Sequence, residues 1–217
     1  MLTLDLRFDN RSPIKVLCLG AHSDDIEIGC GGTILRLLRD YGRVHVSWIV
    51  FGADGERATE ARESADLFLR DAAEKRVLIE NFRDGFFPYV GGQVKDYFES
   101  LKLAISPDLI FTHYRHDLHQ DHRLISELTW NTFRDHLILE YEVIKYDGDV
   151  GNPNVYVHLD DHVCWTKIDY ICKCFLTQVK KNWFDRDTFL AVLRLRGVES
   201  NSPWRYAEGF YGRKLVV

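Results

Sequence analysis

Apolar and polar positions along the chain follow patterns that predict a buried strand, a loop and an amphipathic helix in succession. The run Ile14–Leu19 is apolar and of β type and ends at Gly20, which predicts a buried strand leading into a loop. From Gly31 to about Tyr41 the apolar residues recur at helical spacing. Gly42 is a residue type that commonly ends a helix. These residues therefore form one strand–loop–helix unit.

The same unit recurs further along the chain. The predicted elements are, in chain order, a strand at Val44–Phe51, a helix at Glu60–Asp71, a strand near Arg76–Ile79, a loop at Asn81–Tyr89, a helix at about Gln93–Ile105 and a strand at Leu109–His113. The crossovers between strands are long enough for parallel pairing. Right-handed βαβ connections then predict an α/β fold of Rossmann-like, three-layer type. Its mostly parallel open sheet would be flanked by helices on both faces.

The remaining residues continue the pattern without a linker or an internal repeat. The predicted elements are a helix from Asp121 to about Thr132, a strand at Tyr141–Lys145, helices at about Val163–Val179 and Asp187–Arg196, the latter stopped by Gly197, and a β-type run at Phe210–Val217. The segment Asp147–Asn154, DGDVGNPN, is dense in turn formers, which predicts a loop and allows a role at the rim of a site. We expect residues 1–217 to form a single domain.

Composition narrows the class of protein. The 217 residues are 46% hydrophobic and 28% charged, values typical of a soluble globular domain. No apolar run of membrane-spanning length occurs, and the opening MLTLDLRFDN has no basic start or apolar centre. The net charge is −5 with basic residues spread along the chain, which argues against nucleic acid as a partner, and the five cysteines form no CxxC pair. We therefore expect a cytoplasmic protein with reduced thiols and no membrane span.

Two polar clusters follow predicted strand ends, where open α/β sheets collect their ligands. The first, AHSDD at 21–25, follows the first strand, and the second, HYRHDLHQDH at 113–122, follows the fourth. A catalytic zinc site uses about three His or carboxylate ligands and leaves a fourth position open. Within a single turn, His22 and Asp25 can reach one ion, whereas the neighbouring Asp24 must point elsewhere. The sequence therefore predicts a metal site with a free carboxylate beside it.

This arrangement predicts metal-assisted hydrolysis of an amide. Zinc lowers the pKa of its water to about 7, so a free carboxylate nearby can take the remaining proton, and we assign this role to Asp24. The oxyanion needs a second positive partner and the leaving amine needs a proton. A histidine held protonated by an adjacent carboxylate could supply both. We assign this role to His119, with Asp121 as its orienting partner.

Each cluster alone has a less specific explanation. His22 could be a loop or capping histidine, and the Asp24-Asp25 pair could be solvated acids at the start of a helix. The second cluster could be a solvent-facing loop or one side of a helical turn, since its histidines recur at intervals of three: His113, His116, His119 and His122. The occurrence of both clusters at two strand ends of one α/β pattern favours the metal site.

The two clusters resemble the motifs of the PIG-L/LmbE-like zinc-dependent N-deacetylases. That family carries AHPDD before a Gly-Cys-Gly-Gly-Thr helix start, and later a D-x-HPDH block; here they read AHSDDIEIGCGGTI and DLHQDHR. The resemblance implies a role for each matching residue, namely zinc ligand for His22, Asp25 and His122, general base for Asp24, oxyanion stabiliser for His119, and supporting acid for Asp117 and Asp121.

The resemblance extends beyond the two motifs, with some departures. Arg57 begins a segment, RATE, that looks like the family's RxxE, whose Arg lies near substrate. We expect Arg57 and Asp117 to be substrate-binding residues. Ser23 and Gln120 occupy positions that are usually proline, and Ile26 one that is often Glu. Loss of the prolines removes a backbone restriction at each loop, which concerns loop rigidity more than chemistry.

The resemblance implies removal of an N-acetyl group from an N-acetylglucosamine-like amino sugar or its conjugate, which releases acetate and a free amine. The implied cofactor is Zn²⁺, although this ligand set also accepts Fe²⁺ or another divalent ion. The expected partner is a small amino-sugar substrate or glycoconjugate, and a homo-oligomer is compatible with the sequence. The alternatives are deformylation or cleavage of a thiol-sugar conjugate, and a non-catalytic sugar- or nucleotide-binding protein. A dinucleotide-dependent oxidoreductase is disfavoured because no G-x-G-x-x-G follows the first strand.

Overall fold

A mixed seven-stranded sheet runs through the part of the chain, residues 12–216, that the computed structural model describes. Its strands are β1 (Ile14–His22), β2 (Val44–Gly52), β3 (Glu74–Ile79), β4 (Leu109–His113), β5 (Leu137–Tyr141), β6 (Val155–Leu159) and β7 (Tyr206–Gly212). The spatial order is β3-β2-β1-β4-β5-β7-β6. The first five strands are parallel, and β7 runs antiparallel to both of its neighbours. The predicted mostly parallel α/β sheet is confirmed.

Helices cover both faces of this sheet. Within residues 12–216 they are α1 (Asp25–Tyr41), α2 (Gly55–Phe68), α3 (Gly91–Ala104), α4 (Gln120–Thr132), α5 (Asp161–Cys174) and α6 (Arg186–Glu199), with short 3₁₀ turns at 87–90 and 176–178. Helices α1, α2, α5 and α6 share one hydrophobic core, and α3 and α4 pack over the other. The predicted three-layer arrangement is therefore confirmed.

Strand β1 is buried on both faces, which explains its nearly continuous apolar sequence. Val16 and Cys18 face the core beneath α1, whereas Leu17 and Leu19 face the core beneath α3 and α4. Successive side chains of a strand point to opposite faces, so a strand covered on both sides is apolar at every position. Because β1 and β4 are adjacent and parallel, their carboxyl ends lie at the same edge of the sheet.

Helix α1 begins at Asp25 rather than at the predicted Gly31. Three glycines in its first turns have low helix propensity, but tertiary packing requires them. A Cβ added at Gly29 would lie 2.1 Å from the ring of Tyr141, and one at Gly31 would lie 2.6 Å from the ring of Phe68. The small residues therefore let the start of α1 approach its neighbours, and they keep the first polar cluster at the helix N-terminus.

The C-terminal elements differ more from the prediction. The strand predicted at Tyr141–Lys145 is wrong because β5 pairs with β4 through the preceding apolar run. Edge strand β6 was not predicted. Strand β7 overlaps the predicted run Phe210–Val217 at residues 210–212 but begins four residues earlier, and the last residue of that run is outside the described range. Gly197 does not end α6; a Cβ there would lie 1.8 Å from the carbonyl oxygen of Arg205. Smaller shifts in end residues occur at α2, α3 and α5.

Three further expectations concern the chain as a whole. Within residues 12–216, no helix is both long enough and apolar enough to cross a bilayer. The opening decapeptide, from which we expected no secretory signal, lies outside the described residues. All five cysteines carry free thiols.

The close contact of α1 with Tyr141 predicts that Gly29→Ala destabilises the protein. The added methyl group would overlap the ring, and overpacking of this kind costs typically about 1–3 kcal/mol in free energy of unfolding. Gly91→Ala is the matched control, because an added Cβ there meets no atom within 4 Å. Urea unfolding should show a lower midpoint for Gly29→Ala and an unchanged or higher one for Gly91→Ala. Equal midpoints for Gly29→Ala and the parent would contradict the prediction.

Candidate metal centre

The two polar clusters meet at the carboxyl edge of the sheet. Strand β1 ends at His22 and α1 begins at Asp25, while β4 ends at His113 and α4 begins after His119. The loops are joined directly, since the backbone N–H of Ala21 donates to Nε2 of His113 at 2.9 Å. Residues that are about a hundred positions apart in sequence therefore share one site.

Three of the predicted ligand atoms lie at distances that fit one tetrahedral ion. His22 Nδ1 lies 3.2 Å from His122 Nε2 and 3.3 Å from Asp25 Oδ2, and the last two atoms are 3.4 Å apart. Ligands bound tetrahedrally at about 2.0–2.1 Å are separated by roughly 3.3–3.4 Å. All three side chains are buried, which limits their movement away from a shared ion. The donor set and its spacing therefore fit a divalent metal.

His113 is a fourth buried group beside this triangle. Its Nε2 lies 3.3 Å from Asp25 Oδ2, so it could be considered a ligand. That nitrogen accepts the hydrogen bond from Ala21, however, and its lone pair is therefore occupied. This favours His22, Asp25 and His122 as the ligand set.

Carboxylates hold the second nitrogen of each candidate histidine ligand. His22 Nε2 lies 3.0 Å from Asp84 Oδ1 and 3.2 Å from Asp121 Oδ2, and His122 Nδ1 lies 2.9 Å from Asp117 Oδ2. A metal-binding histidine that donates its other N–H to a carboxylate is fixed in tautomer and ring orientation. Both imidazoles are therefore oriented to present a lone pair to the triangle.

Asp117 does not face the open site, which corrects our expectation that it binds substrate. The residue is 2% exposed. Its Oδ1 accepts the backbone N–H of His119 at 2.7 Å, and its Oδ2 faces His122 and, at 3.0 Å, the ammonium of Lys145. Both oxygens are therefore engaged within the protein, and Asp117 supports the histidines instead.

The expected pairing of the Asp121 carboxylate with His119 is wrong. This carboxylate accepts the backbone N–H groups of Gly85 and Phe87 at 2.7 and 3.1 Å, besides its contact with His22. His119 is the N-cap of α4, and its Nδ1 accepts the backbone N–H of Asp121 at 3.3 Å. When the ring carries one proton, that proton is consequently on Nε2, and no hydrogen bond joins this nitrogen to a carboxylate of residues 12–216.

Arg57 lies beside Asp24, as the sequence predicted for a residue near the site. Its Nη2 is 3.5 Å from Asp24 Oδ1, its Nε donates to Ser23 Oγ at 3.1 Å, and its Nη1 donates to Asp84 Oδ2 at 3.2 Å. The Arg57 side chain is 25% exposed and that of Asp84 is 54% exposed. The guanidinium therefore joins the Asp24 carboxylate to the open side of the site.

Neighbouring ionisable groups of the site have pKa values that are shifted in opposite directions. Burial raises the pKa of Asp24, and Asp25 adds to this effect although Arg57 opposes it. Burial also opposes ionisation of Asp25, but the surrounding histidines, His122 first, hold the pKa of that carboxyl well below its usual range. Burial favours neutral His22, yet nearby acids, Asp25 first, raise its pKa well above the ordinary value. Burial lowers the pKa of His122 to about 3. Without an ion, His22 is thus the charged histidine.

Asp84 and Lys145 belong to the site but were missed by the sequence analysis. Asp84 lies in the loop beyond the carboxyl end of β3, so the strand-end rule that selected the two clusters could have selected it as well. Lys145 carries no such signal, because it is the last residue of the stretch Tyr141–Lys145 that was predicted as a strand.

The family model described as PIG-L, GlcNAc-PI de-N-acetylase, matches residues 17–133, which is more than half of the chain. The chain belongs to the PIG-L family. The matched range contains both polar clusters and the ligand triangle. The strands and helices beyond residue 133 complete the same sheet and its helical cover.

Several solved structures share this fold. N,N'-diacetylchitobiose deacetylase from Pyrococcus horikoshii is 22% identical with a TM-score of 0.67, and the alignment covers 94% of this chain and 85% of that chain. GalB, the 4-carboxy-2-hydroxymuconate hydratase from Pseudomonas putida KT2440, is 16% identical with a TM-score of 0.69 and coverage of 94% and 98%. A zinc-inhibited form of the teicoplanin deacetylase Orf2 is 15% identical with a TM-score of 0.63 and coverage of 91% and 95%. At these identities the likeness shows the fold.

The charged state of His22 predicts that the affinity for a divalent ion depends on pH. The ion must displace the His22 proton, whereas Asp25 is already ionised and His122 already neutral. Below the pKa of His22, the association constant should rise about tenfold per pH unit. Competition with a chelator of known proton affinity, between pH 5.5 and 7, measures this slope. An association constant that does not change over that interval would contradict the assignment.

A substitution tests the ligand set itself. His122→Gln should abolish binding of one Zn²⁺ per chain, because it removes one of the three ligand atoms. His162→Gln is the control, since His162 is exposed and far along the chain on α5. Equilibrium dialysis with metal analysis gives the stoichiometry of both variants; full retention by His122→Gln would refute the triangle.

Proposed function

We propose that this PIG-L family member is a metal-dependent hydrolase that removes the N-acetyl group from an N-acetylglucosamine-like amino sugar or its conjugate. The products are acetate and a free amine. One observation supports this most: three buried ligand atoms, from His22, Asp25 and His122, lie 3.2–3.4 Å apart, and the uncoordinated carboxylate of Asp24 lies on the adjoining residue. The names of the family and of two structural neighbours, both deacetylases, agree with it.

Zn²⁺ is the ion we propose for the site. Two imidazole nitrogens and one carboxylate oxygen suit zinc, and they also suit Fe²⁺ and other divalent ions. A bound ion of this kind would polarise the amide carbonyl and acidify water. His22, Asp25 and His122 would hold it.

Asp24 is the proposed general base. Burial and the neighbouring Asp25 raise its pKa from the ordinary aspartate value toward the range in which a carboxylate accepts a proton efficiently. It takes a proton from the attacking water as the oxygen bonds to the carbonyl carbon. When the carbon–nitrogen bond breaks, the same proton passes to the amine, so acetic acid and a neutral amine are formed; the acid then ionises to acetate and releases its proton to the amine or to water. Arg57 holds the Asp24 carboxylate in place during both transfers.

His119 is the proposed donor to the oxyanion. Its Nδ1 accepts a backbone hydrogen bond, so Nε2 carries the proton and can donate it to negative charge that develops on the carbonyl oxygen. This role requires only a neutral imidazole, because a hydrogen bond and not a full proton transfer stabilises the oxyanion. Arg57, at the open side of the site, is the proposed substrate contact.

The same machinery could hydrolyse another N-acyl group, such as formyl or the acyl arm of a thiol-sugar conjugate. A panel of N-acetylated, N-formylated and conjugated amino sugars would separate these substrates. We expect release of primary amine and acetate in equal amounts from the N-acetyl compounds. If the panel instead released amine together with formate and no acetate, the acyl group removed by the protein would be formyl and not acetyl.

Asp24→Asn should separate catalysis from metal binding. The amide cannot accept the proton of water, so kcat should fall by about 10²–10⁴-fold while one metal ion per chain is retained. Asp71→Asn is the matched control, because this aspartate is exposed and, among residues 12–216, forms its ion pair with Arg70 alone. Amine release and metal content should be measured on the same preparations. Parent-like turnover by Asp24→Asn would remove Asp24 from the mechanism.

A further inference from the structure

Lys145 lies at the junction between the metal centre and the segment 147–154, which we name the rim loop. Its side chain is 11% exposed, and its Nζ lies 3.0 Å from Asp117 Oδ2, 2.6 Å from Asp149 Oδ2 and 3.8 Å from Asp147 Oδ2. Within residues 12–216, the hydrogen bonds of Lys145 go to Asp117, Asp149 and the carbonyl oxygen of Val143, and none goes to a candidate metal ligand. Burial of an ammonium and its carboxylate neighbours costs desolvation free energy, so this arrangement suggests a role beyond surface solubility.

The inner partner of Lys145 organises two histidines at once. Asp117 Oδ2 bonds the Nδ1 of His122 at 2.9 Å, and Asp117 Oδ1 accepts the backbone N–H of His119 at 2.7 Å. The orientation of this one carboxylate therefore sets the ring of a metal ligand and the backbone of the proposed oxyanion donor. The ammonium of Lys145 forms an ion pair with that carboxylate.

Asp149, the partner of Lys145 on the rim loop, connects that loop to the segment that carries His119. Asp149 Oδ2 accepts the backbone N–H of Leu118 at 2.7 Å in addition to its contact with Lys145. Leu118 directly precedes His119, and it is exposed. The rim loop is thereby attached to the segment that carries His119. Lys145 connects this attachment to Asp117, because its ammonium bonds both Asp149 and Asp117.

We propose that Lys145 is a positioning residue that holds the Asp117 carboxylate on His122 and attaches the rim loop to the His119 segment, so that one side chain contacting neither metal nor substrate influences the binding of both. The substrate part of this inference rests on the proposed function. The metal part rests on the residues alone.

The positive charge is the property that the arrangement needs. The Oδ2 atoms of Asp117 and Asp149 both lie within hydrogen-bonding distance of one ammonium, so they are close to each other in a mostly buried environment. Without the cation, the two carboxylates repel, and this repulsion moves the Asp117 carboxylate away from its present position. That movement weakens the bond from Asp117 to His122, and outer partners of this kind typically contribute about 10–100-fold to metal affinity.

Lys145→Met is the first test, because it keeps the length of the side chain and removes its charge. We expect the dissociation constant for Zn²⁺, measured by chelator competition on the full chain, to rise about 10–100-fold. Lys145→Arg should restore affinity to within a few-fold of the parent, since it restores the charge. Lys102→Met, at an exposed lysine of α3, is the control and should bind Zn²⁺ like the parent.

Asp149→Asn separates the two functions of Lys145. It weakens the attachment of the rim loop but leaves the bond between Lys145 and Asp117, so KM for an N-acetyl amino sugar should rise while the Zn²⁺ affinity stays within about twofold. Lys145→Met should change both quantities. A purely structural salt bridge would instead lower the thermal midpoint of each variant without changing KM or the metal affinity, and that pattern would overturn the inference.

Zn²⁺ affinity equal to the parent's in Lys145→Met would also overturn it. Should that variant lack a cooperative unfolding transition, Lys145→Gln, which keeps an N–H donor without the charge, is measured in the same way and judged by the same criterion. The measurement of Zn²⁺ affinity requires no substrate. If the parent released no amine from any compound while Lys145→Met still lost Zn²⁺ affinity, the proposed function would fail and the positioning role would stand.

Discussion

The parallel pairing of β1 with β4 is the constraint on which the rest of the site depends. Neighbouring strands lie about 4.8 Å apart, so the loops that leave adjacent carboxyl ends can bring side chains into direct contact. His22 Nδ1 and His122 Nε2 are 3.2 Å apart because one loop follows β1 and the other follows β4. Insertion of one further strand between them would separate these atoms beyond the span of a single ion. The packing of Gly29 against Tyr141 then lets α1, which begins at Asp25, lie close to β5.

Charge compensation explains how so many ionisable groups can be buried at one edge. Each buried carboxylate of the centre meets a partner that offsets its desolvation: histidines surround Asp25, backbone N–H groups and His22 bind Asp121, and Lys145 and His122 bind Asp117. Glu27 provides the contrast. Both of its carboxylate oxygens are buried, and burial raises its pKa well above the usual range although Ser64 opposes this shift. The pKa of Glu27, outside the network, is therefore raised, whereas the histidines around Asp25 lower the pKa of that acid.

The sequence was sufficient to select the three candidate ligand residues, but not the groups that hold Asp117 and Asp121 in place. Histidine and aspartate types at two strand ends, together with the PIG-L resemblance, selected the three atoms that the fold brings together. The partners of Asp117 and Asp121 depend on Lys145 and on the backbone of Gly85 and Phe87, which come from distant segments with no shared motif. The predicted strand at Tyr141–Lys145 was wrong for a related reason. The run LILEYEVIKY has strand-forming apolar residues in both of its halves, and only pairing with β4 selects the first half.

The two departures from the family's prolines have a structural counterpart. Proline would restrict the backbone covalently at each metal loop. Ser23 instead accepts a hydrogen bond from Arg57 of α2, and the Gln120 side chain donates to the carbonyl of Gly85 in the loop after β3. Both substitutes therefore attach their loops to neighbouring segments. Each loop is then restrained by a tertiary hydrogen bond, and this bond exists only while α2 and the loop around Asp84 are in place. Local order at the metal centre is consequently coupled to elements that carry no candidate ligand, which a proline ring would not require.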